Sequence, residues 1–274
     1  MRSTTLGWQL IASLPLLLVA IAASAEALTV GGTGSSEPIV RLLFETFKKR
    51  APDATLKHLS PPLGSGGSVK ALAAGRIDLA VVGRPLRPDE IKRVGQQFPL
   101  ADTAFVFASR DGQAGAGFDL DQLARIYDGR LQAWPDGAPI RLILRAAFES
   151  DSIALKRISP AMEAAISAAA RRPGMVTGDN DFHTLKLIAD TPGSLGPTTL
   201  GMLSTTRRSV VVIPINGVVP SLASLRNGAY PWRKSLTIVL PQQPGSLAER
   251  FVAFLRSPEA KQVLQDYDYL PARQ

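Results

Sequence analysis

Short apolar runs alternate along the chain with stretches whose apolar residues recur at helical spacing. Between residues 38 and 50, for example, the apolar side chains fall three and four positions apart, which predicts an amphipathic helix. Strands that alternate with helices in this way favour an α/β fold with largely parallel strands. The predicted strands cover residues 28–30, 55–59, 77–82, 140–144, 210–213 and 236–240.

Several helix ends carry recognisable local signals. Asp119 or Asp121 can cap a short helix through Tyr127 that stops at Gly129. An alanine-rich stretch over residues 153–170 predicts one long helix. The last helix is predicted to begin at Ser257-Pro258-Glu259, because serine caps, proline suits the first helical position and glutamate suits the positive end.

The first 25 residues have the pattern of a secretory signal. Arg2 gives a positive start, an apolar run follows over residues 11–22, and Ala23-Ser24-Ala25 offers small residues for cleavage. The run is shorter than the roughly 20 residues that a spanning helix needs, which disfavours a membrane anchor. We therefore expect an exported, periplasmic chain that begins at Glu26.

Composition narrows the expected class of protein. The 274 residues include no cysteine, so an exported chain has neither disulfides nor a lipid anchor on cysteine and depends on an ordinary core. The formal net charge is +8, and it becomes +7 when Arg2 is removed with the signal. A basic surface attracts anions, but the densest basic clusters lack interleaved aromatic residues, so nucleic acid is not an expected partner.

Two glycine-rich segments, 31–36 and 64–68, each lie between a predicted strand and a predicted helix. Glycine allows several backbone N–H groups to converge, a helix N-terminus adds positive potential, and serine and threonine add hydroxyl donors. If the two segments face each other, they can bind a small oxyanion. The alternative is that both are ordinary turns with helix caps.

Other kinds of site find little support. Neither segment has the lysine of a nucleotide phosphate loop, and Glu37 stands where a dinucleotide-binding pattern needs glycine. No G-x-S-x-G nucleophile turn occurs. With only His58 and His183 and no cysteine, we expect no metal centre and no cofactor, and we expect each histidine to be structural or on the surface. Paired-carboxylate chemistry stays open.

Six segments taken in order carry a family resemblance: 28–37 followed by 64–72, then 78–86, 126–134 with 139–140 after it, 217–220, 228–236, and the ending 257–260 with 269–271. They resemble the periplasmic phosphate-binding proteins of ABC transporters over nearly all of the chain after residue 25. The resemblance implies a type II periplasmic-binding-protein fold of two α/β lobes, each a mixed sheet flanked by helices. Residues 26–104 plus 212–274 would form the first lobe and residues 105–211 the second, with the ligand in the cleft between them.

The resemblance also implies a set of ligand-binding residues. Arg145 matches the arginine that pairs with the anion, Arg84 stands at the cleft edge, and the remaining positions supply hydroxyl and backbone donors. The full set is Thr33, Gly34, Ser35, Ser65, Gly66, Arg84, Arg145, Ser150, Asp151 and Ser152.

Two positions depart from the family pattern. Gly83 stands where an acceptor or hydroxyl side chain is common, which weakens the expected discrimination of protonated phosphate from sulfate. Asp151 replaces a glycine and lies close to Glu149. Two carboxylates would repel an anion unless they point away, pair with arginine, or accept hydrogen bonds from a ligand rich in hydroxyl or amino groups.

Three functional hypotheses follow. The first is a monomeric, non-enzymatic binding protein that captures phosphate or a similar small oxyanion and delivers it to an ABC transporter permease. The second keeps the scaffold but makes the chain a divergent sensor or interaction module with a different ligand. The third, a secreted hydrolase, is a minor alternative.

Overall fold

The computed structural model describes residues 26–111 and 117–273, and the predicted signal sequence lies outside them. The strands are β1 (Ala27–Gly32), β2 (Thr55–His58), β3 (Leu79–Val82), β4 (Gln97–Ser109), β5 (Arg141–Arg145), β6 (Val176–Gly178), β7 (Ser194–Thr199), β8 (Val211–Ile213), β9 (Arg233–Val239) and β10 (Leu270–Pro271).

Helices separate most of these strands. They are α1 (Glu37–Phe47), α2 (Gly64–Ala73), α3 (Pro88–Ile91), α4 (Leu120–Asp128), α5 (Ser150–Lys156), α6 (Pro160–Ala169), α7 (Asp181–Asp190), α8 (Leu200–Thr206), α9 (Leu222–Arg226), α10 (Ser246–Leu255) and α11 (Pro258–Asp266).

The sheet is mixed, in the order β2-β1-β3-β9-β4-β7-β5-β6, with β8 and β10 also paired to β4. Strand β1 runs parallel to β2 and β3, and β5 runs parallel to β6 and β7. The two parallel groups are joined through β9 and β4, which pair antiparallel with their neighbours. The predicted α/β class is confirmed. The sheet is mixed because its central strands, β4 and β9, pair antiparallel with their neighbours.

Among the described residues, four clusters of buried apolar side chains pack against this sheet, and the two largest form its main cores. In the first, α1 and α10 pack on β1, β3 and β9, and the rings of Phe44 and Phe251 lie 5.4 Å apart between their centroids. The second core groups α4 and α6 with β5 and β7 and buries Trp134. Strand β4 enters both cores, with Leu100 in the first and Val106 in the second.

The lobe boundaries stay a prediction. Ile213 and Tyr230 lie C-terminal to the return crossing predicted at residue 212, yet both pack in the second core. Tyr230 also donates a hydrogen bond from its hydroxyl to the Phe105 carbonyl, at 2.9 Å. This packing favours a return crossing closer to Arg233 than to residue 212.

The helix ends predicted from local sequence signals are confirmed in one case and wrong in another. The Asp119 cap is confirmed, because its carboxylate accepts from the Gln122 amide at 2.7 Å, and Gly129 ends α4 with a φ of 87°. The single alanine-rich helix over residues 153–170 is wrong. Two helices, α5 and α6, meet at Ser159, whose hydroxyl caps α6, and at Pro160, which has no N–H to continue the preceding helix.

Across residues 26–111 and 117–273, every helix is too short or too polar to serve as a membrane span.

Candidate functional site

Loops from both cores meet around Gly83, just after β3. Its amide donates to the Ser65 hydroxyl at 3.0 Å. A Cβ atom placed on Gly83 would lie 3.4 Å from both Ser150 Oγ and Thr33 Cγ2. Residues that are far apart in the sequence are therefore brought together here by the ends of β1, β3 and β5.

The first glycine-rich loop holds the carboxylate of Asp181, the first residue of α7. The Thr33 hydroxyl donates to Asp181 Oδ2 at 3.3 Å, and the Ser35 amide donates to the same carboxylate. Gly34 permits this approach, because a Cβ there would lie 2.8 Å from Asp181 Oδ2. The donors predicted for a ligand are therefore directed at a side chain of the protein itself.

Arg145 ends β5, and its side chain is fully buried. Its Nη1 donates to Thr184 Oγ1 at 2.8 Å. Its Nε lies 3.4 Å from Asp151 Oδ2, and its Nη2 lies 3.4 Å from Glu149 Oε2 and 3.5 Å from Asp181 Oδ2. Among the described residues, the Nε group has no hydrogen-bond partner of good geometry. The predicted anion-binding arginine is thus surrounded by carboxylates.

Lys234, on β9, is a second buried cation at this point. Its Nζ lies 2.5 Å from Asp151 Oδ1 and 3.2 Å from Asp181 Oδ1. Gly83 makes room for it, because a Cβ at that position would come within 2.7 Å of Lys234 Cε. We call the following five residues the inner charge cluster: Arg145, Lys234, Glu149, Asp151 and Asp181.

The charges of the cluster set one another's pKa. Burial alone would raise the pKa of Asp181, but Lys234 and Arg145 outweigh it and lower the pKa to about 2. Burial would lower the pKa of Lys234, and the two aspartates reverse that shift and raise it. For Glu149, burial raises the pKa and Arg145 opposes this only in part. Lys234 and Asp181 are therefore both ionised at neutral pH.

The two serines at the start of α5 have different roles. The Ser152 hydroxyl donates to the carbonyls of Arg145 and Ala146, at 3.1 and 2.9 Å, so it stabilises the backbone turn. Ser150 is 7% exposed, and its Oγ has no hydrogen-bond partner among the residues that the structure describes. Ser150 therefore keeps a donor for a ligand, whereas Ser152 does not.

Arg84 lies against the second glycine-rich loop and is held by an ion pair. A Cβ on Gly66 would lie 3.4 Å from Arg84 Nη2. The guanidinium donates to both carboxylate oxygens of Glu90, at 2.7 and 2.8 Å, and these bonds lower the pKa of Glu90 to about 2. The ion pair with Glu90 therefore fixes the orientation of the guanidinium of Arg84, the arginine predicted at the cleft edge.

A cavity of about 650 Å³ adjoins the inner charge cluster at Gly83 and Ser150. We call it the outer cavity. Among its walls, Phe98 packs against the first core, Trp232 packs against the second, and Leu86 belongs to a smaller apolar cluster beside β3. Three arginines and no acidic residue are among its described lining residues; the arginines are Arg84, Arg157 and Arg233.

Lys234 and Asp181 were absent from the predicted site. The alternation along β9 carries a signal for the lysine, because Lys234 is in phase with the buried Leu236 and Ile238. Asp181 has only a weak signal, a short acidic turn before a helix. The two histidines are placed as expected, with His58 buried beside Glu37 and His183 exposed.

Residues 19–259 match the family model described as the PBP superfamily domain. The chain belongs to the PBP superfamily. Among curated members of similar sequence, the phosphate-binding protein PstS of Bacillus subtilis is 24% identical over 249 residues, which cover 89% of this chain and 80% of that protein. The PstS of Staphylococcus haemolyticus is 31% identical over 114 residues, 38% of this chain and 35% of the relative.

Solved structures of two phosphate-binding proteins share the fold of this chain. A putative phosphate ABC transporter substrate-binding protein from Clostridium perfringens, with bound phosphate, superposes with a TM-score of 0.73 at 16% identity over 90% of this chain and all of the other. The periplasmic phosphate-binding protein PfluDING gives a TM-score of 0.69 at 12% identity over 90% of each chain. The predicted two-lobed fold is confirmed by these likenesses.

Proposed function

We propose that this chain is a periplasmic solute-binding protein that takes phosphate or a similar small oxyanion into the cleft at Gly83 and delivers it to an ABC transporter permease. It acts by binding and release rather than by catalysis. The main support for this proposal is a pair of buried donors, Ser150 Oγ and Arg145 Nε, that lack hydrogen-bond partners among the described residues. Buried polar groups are rarely left unpaired, and an oxyanion would satisfy both.

The relatives support the same ligand class. Two of the proteins similar in sequence are named as phosphate-binding proteins, and both structural neighbours described above were solved with phosphate bound. In this chain the second glycine-rich loop forms the N-terminus of α2, which adds positive potential, and Arg145 carries a permanent positive charge. We propose that hinge closure of the two lobes brings Thr33 from one side and Ser150 from the other onto the oxyanion.

Titration calorimetry with phosphate and then sulfate, near neutral pH, tests this function. The purified protein is first unfolded and refolded to remove carried-over ligand. We expect saturable binding of at least one of these oxyanions. Ser150→Ala should weaken that binding about 10- to 100-fold, because a hydrogen bond to a charged group contributes about 1.5–3 kcal/mol.

Ser246→Ala is the matched control, since Ser246 is also the first residue of a helix but is exposed. It should leave binding unchanged. A protein that binds neither oxyanion, or a Ser150→Ala variant that binds as tightly as the wild type, contradicts the proposed site.

A further inference from the structure

The outer cavity lies next to the donors of the proposed site rather than at a separate place. Gly83 and Ser150 belong to both, and the unpaired Ser150 hydroxyl lies buried directly beneath the cavity wall that its own residue lines. On the inner side of Gly83, Lys234 Cε takes the space where a side chain would lie. A group bound to Ser150 therefore has the filled inner charge cluster on one side and about 650 Å³ of open volume on the other.

The chemistry of this volume differs from that of the cluster. Phe98, Ile153 and Trp232 give it apolar walls, and Trp232 packs edge-on against Tyr230 with ring centroids 5.0 Å apart. Pockets of this size that combine apolar walls with a few polar groups are typical of sites for organic ligands. Inorganic phosphate, by contrast, has no apolar surface to bury against such walls.

The charged residues that line the cavity determine whether an anionic or a cationic ligand is attracted to it. Arg84 is already paired with Glu90, and Arg233 lies 3.1 Å from Asp102. Arg157, the residue that directly follows α5, has no carboxylate partner among the described residues. Because Arg157 carries a positive charge that no described carboxylate compensates, the cavity attracts an anionic group rather than a cationic one.

From this geometry we infer that the ligand of the cleft is an organic phosphate: its phosphate group binds at Ser150 and its apolar body fills the outer cavity. The inference rests on the proposed function and names its ligand class more narrowly. Burial of the apolar body adds free energy of binding that inorganic phosphate lacks. The preference for the ester over the free anion is therefore the quantity to measure.

Phenyl phosphate and inorganic phosphate serve as the probes, titrated separately into the purified protein. We expect phenyl phosphate to bind about tenfold or more tightly, with a more negative heat-capacity change, because only its ring removes apolar surface from water. Ala154→Trp fills the cavity from α5 and should reduce the ratio of the two affinities to roughly one. Ala253→Trp, on the exposed face of α10, is the control and should keep the wild-type ratio.

Each outcome separates this inference from the proposed function. If inorganic phosphate binds as tightly as phenyl phosphate with an equal heat-capacity change, the inference is overturned and the proposed function stands. If only phenyl phosphate binds, and Ala154→Trp abolishes its binding, the inference stands, and the proposed function keeps its cleft but loses the small oxyanion as its ligand. Binding of neither probe overturns both. The heat-capacity comparison uses only the wild type, so the test does not depend on the folding of a variant.

Discussion

The inner charge cluster and the outer cavity lie on either side of Gly83 and differ in both packing and polarity. The cluster packs two cations against three carboxylates with almost no exposed surface. The cavity has open volume, apolar walls and arginines without a described carboxylate in its lining. The difference shows that the open volume lies on the outer side of Gly83, whereas paired charges fill the space on its inner side.

The cluster depends on pairing, and removal of Lys234 should give the largest effect. Lys234→Met leaves Asp151 and Asp181 buried with only Arg145 to compensate them. We expect the free energy of unfolding to fall by about 3–5 kcal/mol, measured by denaturant titration. A loss below about 1 kcal/mol would mean that the cluster is open to water.

Lys186→Met is the matched control for this substitution. Lys186 forms an exposed ion pair with Asp190 within α7, and such surface pairs contribute at most about 1 kcal/mol. Adding Asp151→Asn to Lys234→Met should recover part of the lost stability, because it removes one of the uncompensated buried charges.

Acid titration gives the next largest effect. The pKa of Asp181 falls from 3.8 to about 2 on folding, so its ionised form stabilises the folded state at all pH values above 3.8. That stability is lost as pH falls from 3.8 to about 2, and it amounts to about 2 kcal/mol. Asp181→Asn should therefore lose correspondingly less stability than the wild type over this interval.

Glu149 provides a control of opposite sign. Its pKa is raised on folding, so its ionised form costs stability at neutral pH and the cost disappears on protonation. Glu149→Gln should be more stable than the wild type at pH 7, measured by the same denaturant titration. If both variants respond to acid in the same direction, the assignment of charges in the cluster is wrong.

The smallest effect concerns affinity. Asp181 accepts from Thr33 and from the Ser35 amide, so it competes with an anion for these donors and also repels it. Asp181→Asn should tighten phosphate binding by about tenfold in calorimetry, equivalent to about 1.4 kcal/mol. Asp179→Asn, with the same charge change on an exposed neighbour, should leave the affinity unchanged. Weaker binding by Asp181→Asn would make this carboxylate part of the ligand site.

The glycine-rich loops could be predicted from the sequence because their signal is local. Glycine, serine and threonine lie within a few residues of one another, between a strand and a helix, and the loops at Thr33 and Ser65 do converge at Gly83. The fold class could likewise be predicted from alternating strand and helix patterns. Strand β4 was missed, since Pro99 and several alanines weaken its strand pattern.

The charge cluster could not be predicted in the same way, because its pairs are far apart in the sequence. Lys234 meets Asp151 across 83 positions and Asp181 across 53. The resemblance instead led to the expectation that Asp151 would be a ligand-binding residue, a role that its contact with Lys234 does not test. The inward phase of Lys234 indicates a buried cation but not which carboxylates it meets.

Strand β4 is a single continuous strand that both lobes share. It pairs with β9 and β10 at one end and with β7 and β8 at the other. If either core melts, the other loses hydrogen bonds along the same continuous backbone. We therefore expect the lobes to unfold as one cooperative unit, and we expect the proposed hinge motion to bend this strand rather than break it.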